Sequence, residues 1–166
     1  ELAGGWECGV PTSGPGKAIT GRNVIATNLA GNYGASDTWG GQTATSPWLD
    51  LGAMTAPELR FHAWSHTEGS FADGWNVKVT TDGVNYTLAT SVSPAYEFTI
   101  DSQSAWGGDK SGFGYREYRV NLAQWAGQQI RIRFDFHANG FTFFPGVYID
   151  HVILGEASSM PLRIGT

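Results

Sequence analysis

Residues 130–137 read Ile130-Arg-Ile-Arg-Phe-Asp-Phe-His137, so apolar and polar side chains alternate along this stretch. Successive side chains of a strand point to opposite faces of a sheet, and the pattern therefore predicts a strand with one buried face. Residues 75–81 alternate in the same way, with Trp75 on the predicted core face. They lead into Asp82-Gly83, a pair suited to the positive φ angles of a tight hairpin, and residues 86–88 return as a strand. Further strands are predicted at 23–27, 59–64, 117–122 and 147–154.

Helical periodicity is nearly absent from the chain. Only residues 122–128 are expected to form a helical turn, which Gly127 would end. Short, widely spaced strands without alternating helices favour antiparallel sheets packed face to face over a parallel sheet. We therefore predict an all-β fold, an antiparallel two-sheet sandwich of the jelly-roll type, with a long loop without strands at 101–116.

Size and composition bound the remaining possibilities. A chain of 166 residues has room for one domain with a real core, which we expect at residues 1–155, followed by a tail or linker at 156–166. The net charge is −5 without a basic cluster, which argues against nucleic acid as a partner. No apolar run approaches the ~20 residues of a membrane span. The single Cys8 excludes an internal disulfide framework and is expected to pack as a small apolar side chain.

Several local phrases occur in an order known from one kind of module. They are Trp6-Glu-Cys-Gly-Val-Pro-Thr-Ser-Gly-Pro-Gly16, Ala26-Thr-Asn-Leu-Ala-Gly-Asn-Tyr33, Ser46-Pro-Trp-Leu-Asp-Leu51, Leu59-Arg-Phe-His-Ala-Trp64, Gly127-Gln-Gln-Ile-Arg-Ile-Arg-Phe134 and Tyr148-Ile-Asp-His-Val-Ile153. Together they resemble MAM-like jelly-roll domains over nearly the whole chain. The resemblance implies a secreted, extracellular module of the kind found beside bacterial immune-inhibitor-type proteases and in animal adhesion proteins.

A calcium site is predicted from loop oxygens and from the same resemblance. Ca²⁺ takes six to eight oxygen ligands, which the loops of a sandwich supply easily. Asp150 matches the aspartate that the family retains, and the resemblance places Asn28 and Asn32 nearby. Glu68 and Asp73 are weaker candidate ligands. For Asn32 and Asp73, plain turn chemistry is an equal explanation, because each stands beside a glycine.

Aromatic residues on polar faces suggest a ligand surface, since flat rings stack on sugars. Within residues 59–64 the odd positions are apolar, so the even positions share the opposite face, which we expect to be exposed. Two further aromatic residues lie in the predicted loop at 101–116. The candidate ligand-binding residues are Arg60, His62, Trp64, Trp106 and Tyr115.

Catalytic motifs are absent from the sequence: there is no nucleophile elbow, zinc-protease helix or phosphate loop. Glu68 with Asp73, or Asp135 on its strand, would have to supply the two carboxylates of a glycosidase. The four histidines lack the spacing of a transition-metal site. We therefore predict a non-catalytic accessory or adhesion module that binds a polysaccharide, a protein surface or a neighbouring domain of its parent chain. The alternatives are a small jelly-roll glycan-active enzyme and a purely structural spacer.

Overall fold

The computed structural model describes residues 1–157. The strands are β1 (Leu2–Ala3), β2 (Glu7–Gly9), β3 (Val24–Ala26), β4 (Gln42–Thr45), β5 (Leu49–Asp50), β6 (Pro57–His66), β7 (Gly74–Thr80), β8 (Thr87–Leu88), β9 (Val92–Ser93), β10 (Phe98–Ile100), β11 (Gln103–Gly107), β12 (Arg116–Asn121), β13 (Gln129–His137) and β14 (Gly146–Glu156). Two single turns of 3₁₀ helix lie at Ser111–Phe113 and Ala123–Trp125.

The strands form two antiparallel sheets. The first has the order β1-β4-β13-β7-β11-β10, with β5 also paired to β13 and β8 to β7; the second has the order β2-β3-β14-β6-β12-β9. Strands β3, β14, β6 and β12 therefore belong to one sheet and β4, β13, β7 and β11 to the other. Among these eight strands, each one lies in the opposite sheet from the next along the chain, except β7 and β11, which share a sheet. This is the jelly-roll order, and the predicted two-sheet sandwich is confirmed.

The period-two strands predicted from sequence are present. Residues 130–137 lie in β13, where Ile130, Ile132, Phe134 and Phe136 are buried as predicted. Trp75 is fully buried in β7, and β7 pairs with β8 across the Asp82-Gly83 turn. The helical turn predicted at 122–128 is only the 3₁₀ turn Ala123–Trp125, after which Gly127 takes a φ of 79°.

The prediction of a strandless loop at 101–116 is wrong. Residues Gln103–Gly107 form β11, which pairs with β7 and β10. The small and polar side chains of this strand conceal it in the sequence, because only Trp106 carries a strong strand preference. Cys8 is exposed, contrary to expectation.

The last strand continues one residue beyond the predicted domain boundary at 155. Strand β14 includes Glu156, whose carboxylate accepts hydrogen bonds from the N–H groups of Thr55 and Ala56 at 2.7 Å each. The rest of the predicted tail, residues 158–166, lies outside the described residues.

The outer face of the second sheet is covered by the segment of residues 11–20. Trp64 faces outward there, as alternation requires, and packs edge-on against Tyr148. The Ser13 hydroxyl lies 2.6 Å from the Tyr148 hydroxyl, and Gly14 lies so close to the Tyr148 ring that a Cβ would overlap it. Trp64 is therefore only 8% exposed, and the prediction that it forms an exposed surface is wrong, because a distant segment of the chain covers its face.

Asp150 anchors that covering segment to the sheet. Its Oδ2 accepts the N–H of Ile19 at 2.7 Å and of Thr20 at 2.8 Å, and its Oδ1 accepts the Thr20 hydroxyl at 3.1 Å and the N–H of His151 at 2.6 Å. Burial alone would raise the pKa of Asp150, but the N–H groups of Thr20, His151 and Ile19 outweigh it and hold the pKa below its usual range.

The outer face of the first sheet carries a buried ionic cluster. Asp135 accepts Lys78 Nζ and Arg133 Nη2, each at 2.8 Å, on one carboxylate oxygen and the N–H of Gly40 on the other. Trp39 lies over Lys78, with 4.7 Å from Nζ to the ring centre. Burial lowers the pKa of Lys78, although Asp135 acts in the opposite direction. Loops thus cover part of each outer face.

We expect Trp64→Ala to reduce the free energy of unfolding by about 3–5 kcal/mol, because it leaves a cavity under the covering segment. Trp48→Ala is the matched control: Trp48 is half exposed, so its loss should change stability by only about 0.5 kcal/mol. Urea unfolding of both variants measures the difference. Equal, small effects would contradict the buried position of Trp64.

We expect Asp150→Asn to reduce stability at neutral pH by about 1–3 kcal/mol, because an amide cannot accept all four hydrogen bonds. Since the folded pKa of Asp150 is lowered, its contribution is present above the unfolded pKa of about 3.9 and is lost as the pH falls through the folded pKa. The variant should therefore lose less stability than the parent between neutral and acid pH. Denaturant melts across that range measure it, with the exposed Asp37→Asn as the control; matching curves for the two variants would contradict the anchoring role.

Candidate functional site

Four loops meet at one end of the sandwich. At this end β6 and β13 finish, and β7 and β14 begin. The four loops span residues 27–35, 66–73, 107–115 and 138–145. We call this region the phenylalanine end. Gly69 and Gly108 belong to two of these loops and approach so closely that a Cβ on Gly69, whose φ is 71°, would overlap the backbone of Gly108. The loops are therefore packed against each other and not splayed into solvent.

A buried hydrogen-bond network joins three of the loops. The Tyr33 hydroxyl donates to Asp73 Oδ2 at 2.6 Å, and the N–H of Asn139 donates to Asp73 Oδ1 at 2.7 Å. The N–H of Glu68 donates to the Tyr33 hydroxyl at 3.2 Å. Burial raises the pKa of Tyr33 far above its ordinary value, and the hydrogen bond to Asp73 raises it further, so the phenol stays a proton donor.

Large apolar side chains project from this network into solvent. Phe71 is 81% exposed, Phe113 71% and Phe141 86%, and Phe143 is also exposed. Their backbones are held by local hydrogen bonds: the N–H of Phe141 donates to Asn139 Oδ1, and the N–H of Phe113 donates to the carbonyl of Lys110. Exposed apolar rings on ordered loops make this end a candidate contact surface.

Four of the five predicted calcium ligands lie at this end. Glu68 and Asp73 adjoin Tyr33, and the Asn28 amide donates to the carbonyl of Asn32, whose own amide donates to the carbonyl of Phe143. Asn28 Oδ1 accepts the N–H of Ala30, which is the hydrogen bond that an asparagine side chain forms in a turn. Within residues 1–157, no group of three or more His, Cys, Asp or Glu side chains is arranged to hold a metal.

Asp150 does not share this arrangement. It lies on the outer face of the second sheet, and both of its oxygens accept N–H or O–H donors, which leaves it poorly suited to a cation. The predicted grouping of Asp150 with Asn28 and Asn32 is therefore not found, because β14 places Asp150 opposite residues 19–20. Calcium binding itself stays a prediction.

The predicted ligand-binding residues do not form one surface. Trp106 is 2% exposed in the core, and its Nε1–H donates to the carbonyl of Pro94, so its expected exposure is wrong. Tyr115 is half-buried and donates to the carbonyl of Lys17. Arg60 Nε lies 3.9 Å from Glu117 Oε2. The His62 ring stacks on the ring of His151 on the same face.

The carboxylates considered for a glycosidase are not open to a substrate. Asp73 and Asp135 are fully buried, the first held by Tyr33 and the second by Lys78 and Arg133. Glu68 alone of this set is exposed. The two carboxylates that hydrolysis needs on either side of a glycosidic bond are therefore not presented together.

Sequence reasoning missed the exposed phenylalanines. A signal was available, since Phe71, Phe113 and Phe141 each follow a glycine or serine and lie in glycine-containing stretches between the predicted strands. Strand alternation does not place aromatic residues of such stretches on a core face.

Comparisons with known proteins place the fold. No family model matches the chain, so the MAM-like resemblance stays a prediction. The chain is 28% identical over 154 residues to Bacillopeptidase F of Bacillus subtilis (strain 168), a match that covers 93% of this chain and 9% of that protein. The chain thus spans less than a tenth of the length of this relative.

A solved structure shares the architecture. The crystal structure of the K1 cleaved adhesin domain of Lys-gingipain from Porphyromonas gingivalis W83 is similar, with a TM-score of 0.52 and 16% sequence identity over 92% of this chain and 84% of that chain. This likeness concerns the fold alone. Within residues 1–157, no helix is long and apolar enough to cross a membrane.

Proposed function

We propose that the chain is a non-catalytic binding module of a secreted protein and that it attaches to a protein surface through the phenylalanine end. The observation that carries this proposal is the exposure of Phe71 and Phe141 on loops held by the Tyr33–Asp73 network and of Phe113 on the adjoining loop, where the N–H of Gly108 donates to the Thr67 hydroxyl. Exposed apolar groups of this size are costly in a soluble chain and mark interaction sites. Loops that are ordered before binding lose little conformational entropy when they bind.

The chemistry of these rings favours a protein over a polysaccharide. Phenylalanine has no polar edge, whereas sugar binding uses rings that stack and also form hydrogen bonds. The aromatic residues that suggested a sugar surface, Trp64 and Trp106, are buried. Phenylalanine instead fills apolar pockets, which the cores of protein interfaces supply.

The setting of the module follows from its relatives. Similarity to Bacillopeptidase F supports a place within an exported protease, and the fold of the Lys-gingipain cleaved adhesin domain supports an adhesive or accessory role. We therefore assign the chain an extracellular location and a role beside a separate catalytic domain. The buried positions of Asp73 and Asp135 support a non-catalytic module over a glycan-active enzyme.

We expect the double variant Phe71→Ser, Phe141→Ser to bind its protein targets at least about tenfold more weakly, as for the loss of central apolar anchors. The measurement is binding to a panel of immobilised extracellular proteins, run beside a glycan array. Val84→Ser is the control, because Val84 is 78% exposed at the opposite end. Binding to a glycan that the double variant retains would contradict the proposal, and so would equal losses in all variants.

We also propose that Ca²⁺ binds at the phenylalanine end and stabilises the loops. The support is the presence there of oxygen donors of the type that Ca²⁺ prefers: the exposed carboxylate of Glu68 and the side-chain and backbone carbonyl oxygens of Asn32. When bound, the ion would supply positive charge that ties these loops together and would stabilise the folded state by mass action.

Added Ca²⁺ should then raise the melting temperature of the parent chain, and Glu68→Gln should diminish that rise because it removes one charged donor. Asp150→Asn should keep the full rise, although it melts lower throughout. Calorimetry with calcium and with a chelator measures both. Identical melts of the parent chain under the two conditions would remove calcium from the proposal.

A further inference from the structure

An apolar cavity of about 410 Å³ opens between the two sheets at the end opposite the phenylalanine end. The first sheet contributes Ala44, Ile132 and Phe134 to its wall, and the second sheet contributes Ile25 of β3, Leu59 and residues of β14. The polar residues among those that line it are Glu1, Thr45 and Ser46. Its volume falls in the range of about 300–1,000 Å³ that is typical of ligand sites.

Over the part of this cavity beyond Ile25 of β3, the second sheet lacks a strand within residues 1–157. Strand β3 pairs with β14 only at Tyr148 and Ile149, and the chain before β3 turns away to bind Asp150. At His151, which has a φ of 52°, β14 contains a bulge: Asp150 pairs with His62, but the next pair joins Ile153 to Arg60. Beyond the bulge, β14 has β6 on one side and no strand on the other within residues 1–157.

The direction of the backbone groups along this edge follows from the pairing. The carbonyl of Pro57 accepts the N–H of Leu122. The backbone N–H and C=O groups at odd positions of β6 therefore face β12, and those at even positions face β14. Ile153 and Gly155 pair with even positions of β6, so their backbone groups are the ones hydrogen-bonded to β6. The N–H and C=O groups of Val152 and Leu154 must then point to the open side, where no partner for them lies among the described residues.

The same two residues also direct their side chains into the cavity. Val152 and Leu154 line it, whereas Ile153 lies on the outer face beside Arg60. Val152 is 47% exposed and Ile153 40%. An open strand edge thus runs directly along an open apolar cavity.

We infer that this edge is a docking site for an extended polypeptide segment from outside the chain, which adds to β14 as a further strand and places apolar side chains from alternate positions in the cavity. Only a polypeptide backbone supplies donors and acceptors at the spacing of a strand edge, and its period of two directs every second side chain inward. Val152–Glu156 accommodates about five residues, or roughly 17 Å of strand.

Other occupants satisfy only part of these features. A small apolar molecule fills the cavity but leaves the backbone groups of Val152 and Leu154 unpaired. A second copy of the chain, paired through its own β14, would direct its Val152 and Leu154 into its own cavity and leave this one unfilled. A separate strand satisfies both the edge and the cavity.

The test uses a blocked fluorescent heptapeptide, Lys-Val-Thr-Val-Thr-Val-Lys, and fluorescence anisotropy with the full chain. We expect saturable binding that Val152→Asp weakens at least tenfold. Ile153→Asp is the matched control, with the same charge on the neighbouring, equally exposed residue of the opposite face, and should change affinity less than twofold. Thermal melts establish that both variants fold.

Two methylated peptides test the mode of binding on the unaltered chain. One carries N-methyl groups on the valines and the other on the threonines; because alternate N–H groups of a strand face the same side, we expect one peptide to lose binding and the other to retain it. Equal effects of the two methylations, or no saturable binding of the parent peptide, would overturn the proposal. Self-association of the chain that Val152→Asp abolishes, or peptide binding that appears only after removal of residues 158–166, would also overturn it by assigning the edge to a different occupant.

Discussion

Phe61 packs against aromatic rings from both sheets, and the rest of the structure depends on this contact. The centre of its ring lies 5.0 Å from that of Phe134 and 6.1 Å from that of Trp75, both in the opposite sheet. In its own sheet, the ring centre of Tyr118 lies 5.4 Å away. Trp75 in turn contacts Trp106 at 4.6 Å. Interiors packed at crystal-like density do not allow such rings to slide past each other. The two sheets are therefore fixed as one rigid unit, and only the loops and edges remain for contact with other molecules.

A simpler sandwich can use the outer faces of its sheets for that purpose, but here loops cover part of each face. The Asp150 carboxylate holds residues 11–20 over one face, and Trp39 covers the Lys78–Asp135 pair on the other. A buried ion pair of this kind is costly to break and adds little when intact, so its effect is to fix position more than to add stability. The two ends of the sandwich therefore remain as the candidate contact surfaces.

The sequence predicts the strands of the core well and the surface poorly, for one physical reason. The alternation of apolar and polar residues in 130–137 and 59–64 indicates which side chains share a face of the sheet. The burial of the apolar positions in both strands confirms this prediction. Whether an outward face is exposed depends on distant segments, which is why Trp64 was misplaced. Strand β11 was not predicted, because its pairing with β7 and β10, and not its own composition, holds it in place. The grouping of Glu68 and Asp73 with Asn28 and Asn32 required the Tyr33 network, which no local pattern encodes.

The two ends differ in what binding would cost. At the phenylalanine end, buried hydrogen bonds order the loops before any contact, so most of the apolar contact energy is available for affinity. At the β14 edge, an incoming segment must itself become ordered, which offsets much of the gain from filling the cavity. We therefore expect a free peptide to bind there more weakly than a segment tethered in the same polypeptide or assembly, which reaches effective concentrations in the millimolar range. An ordered recognition surface at one end and an edge that responds to tethering at the other suit a module that holds its parent assembly while it attaches to a target.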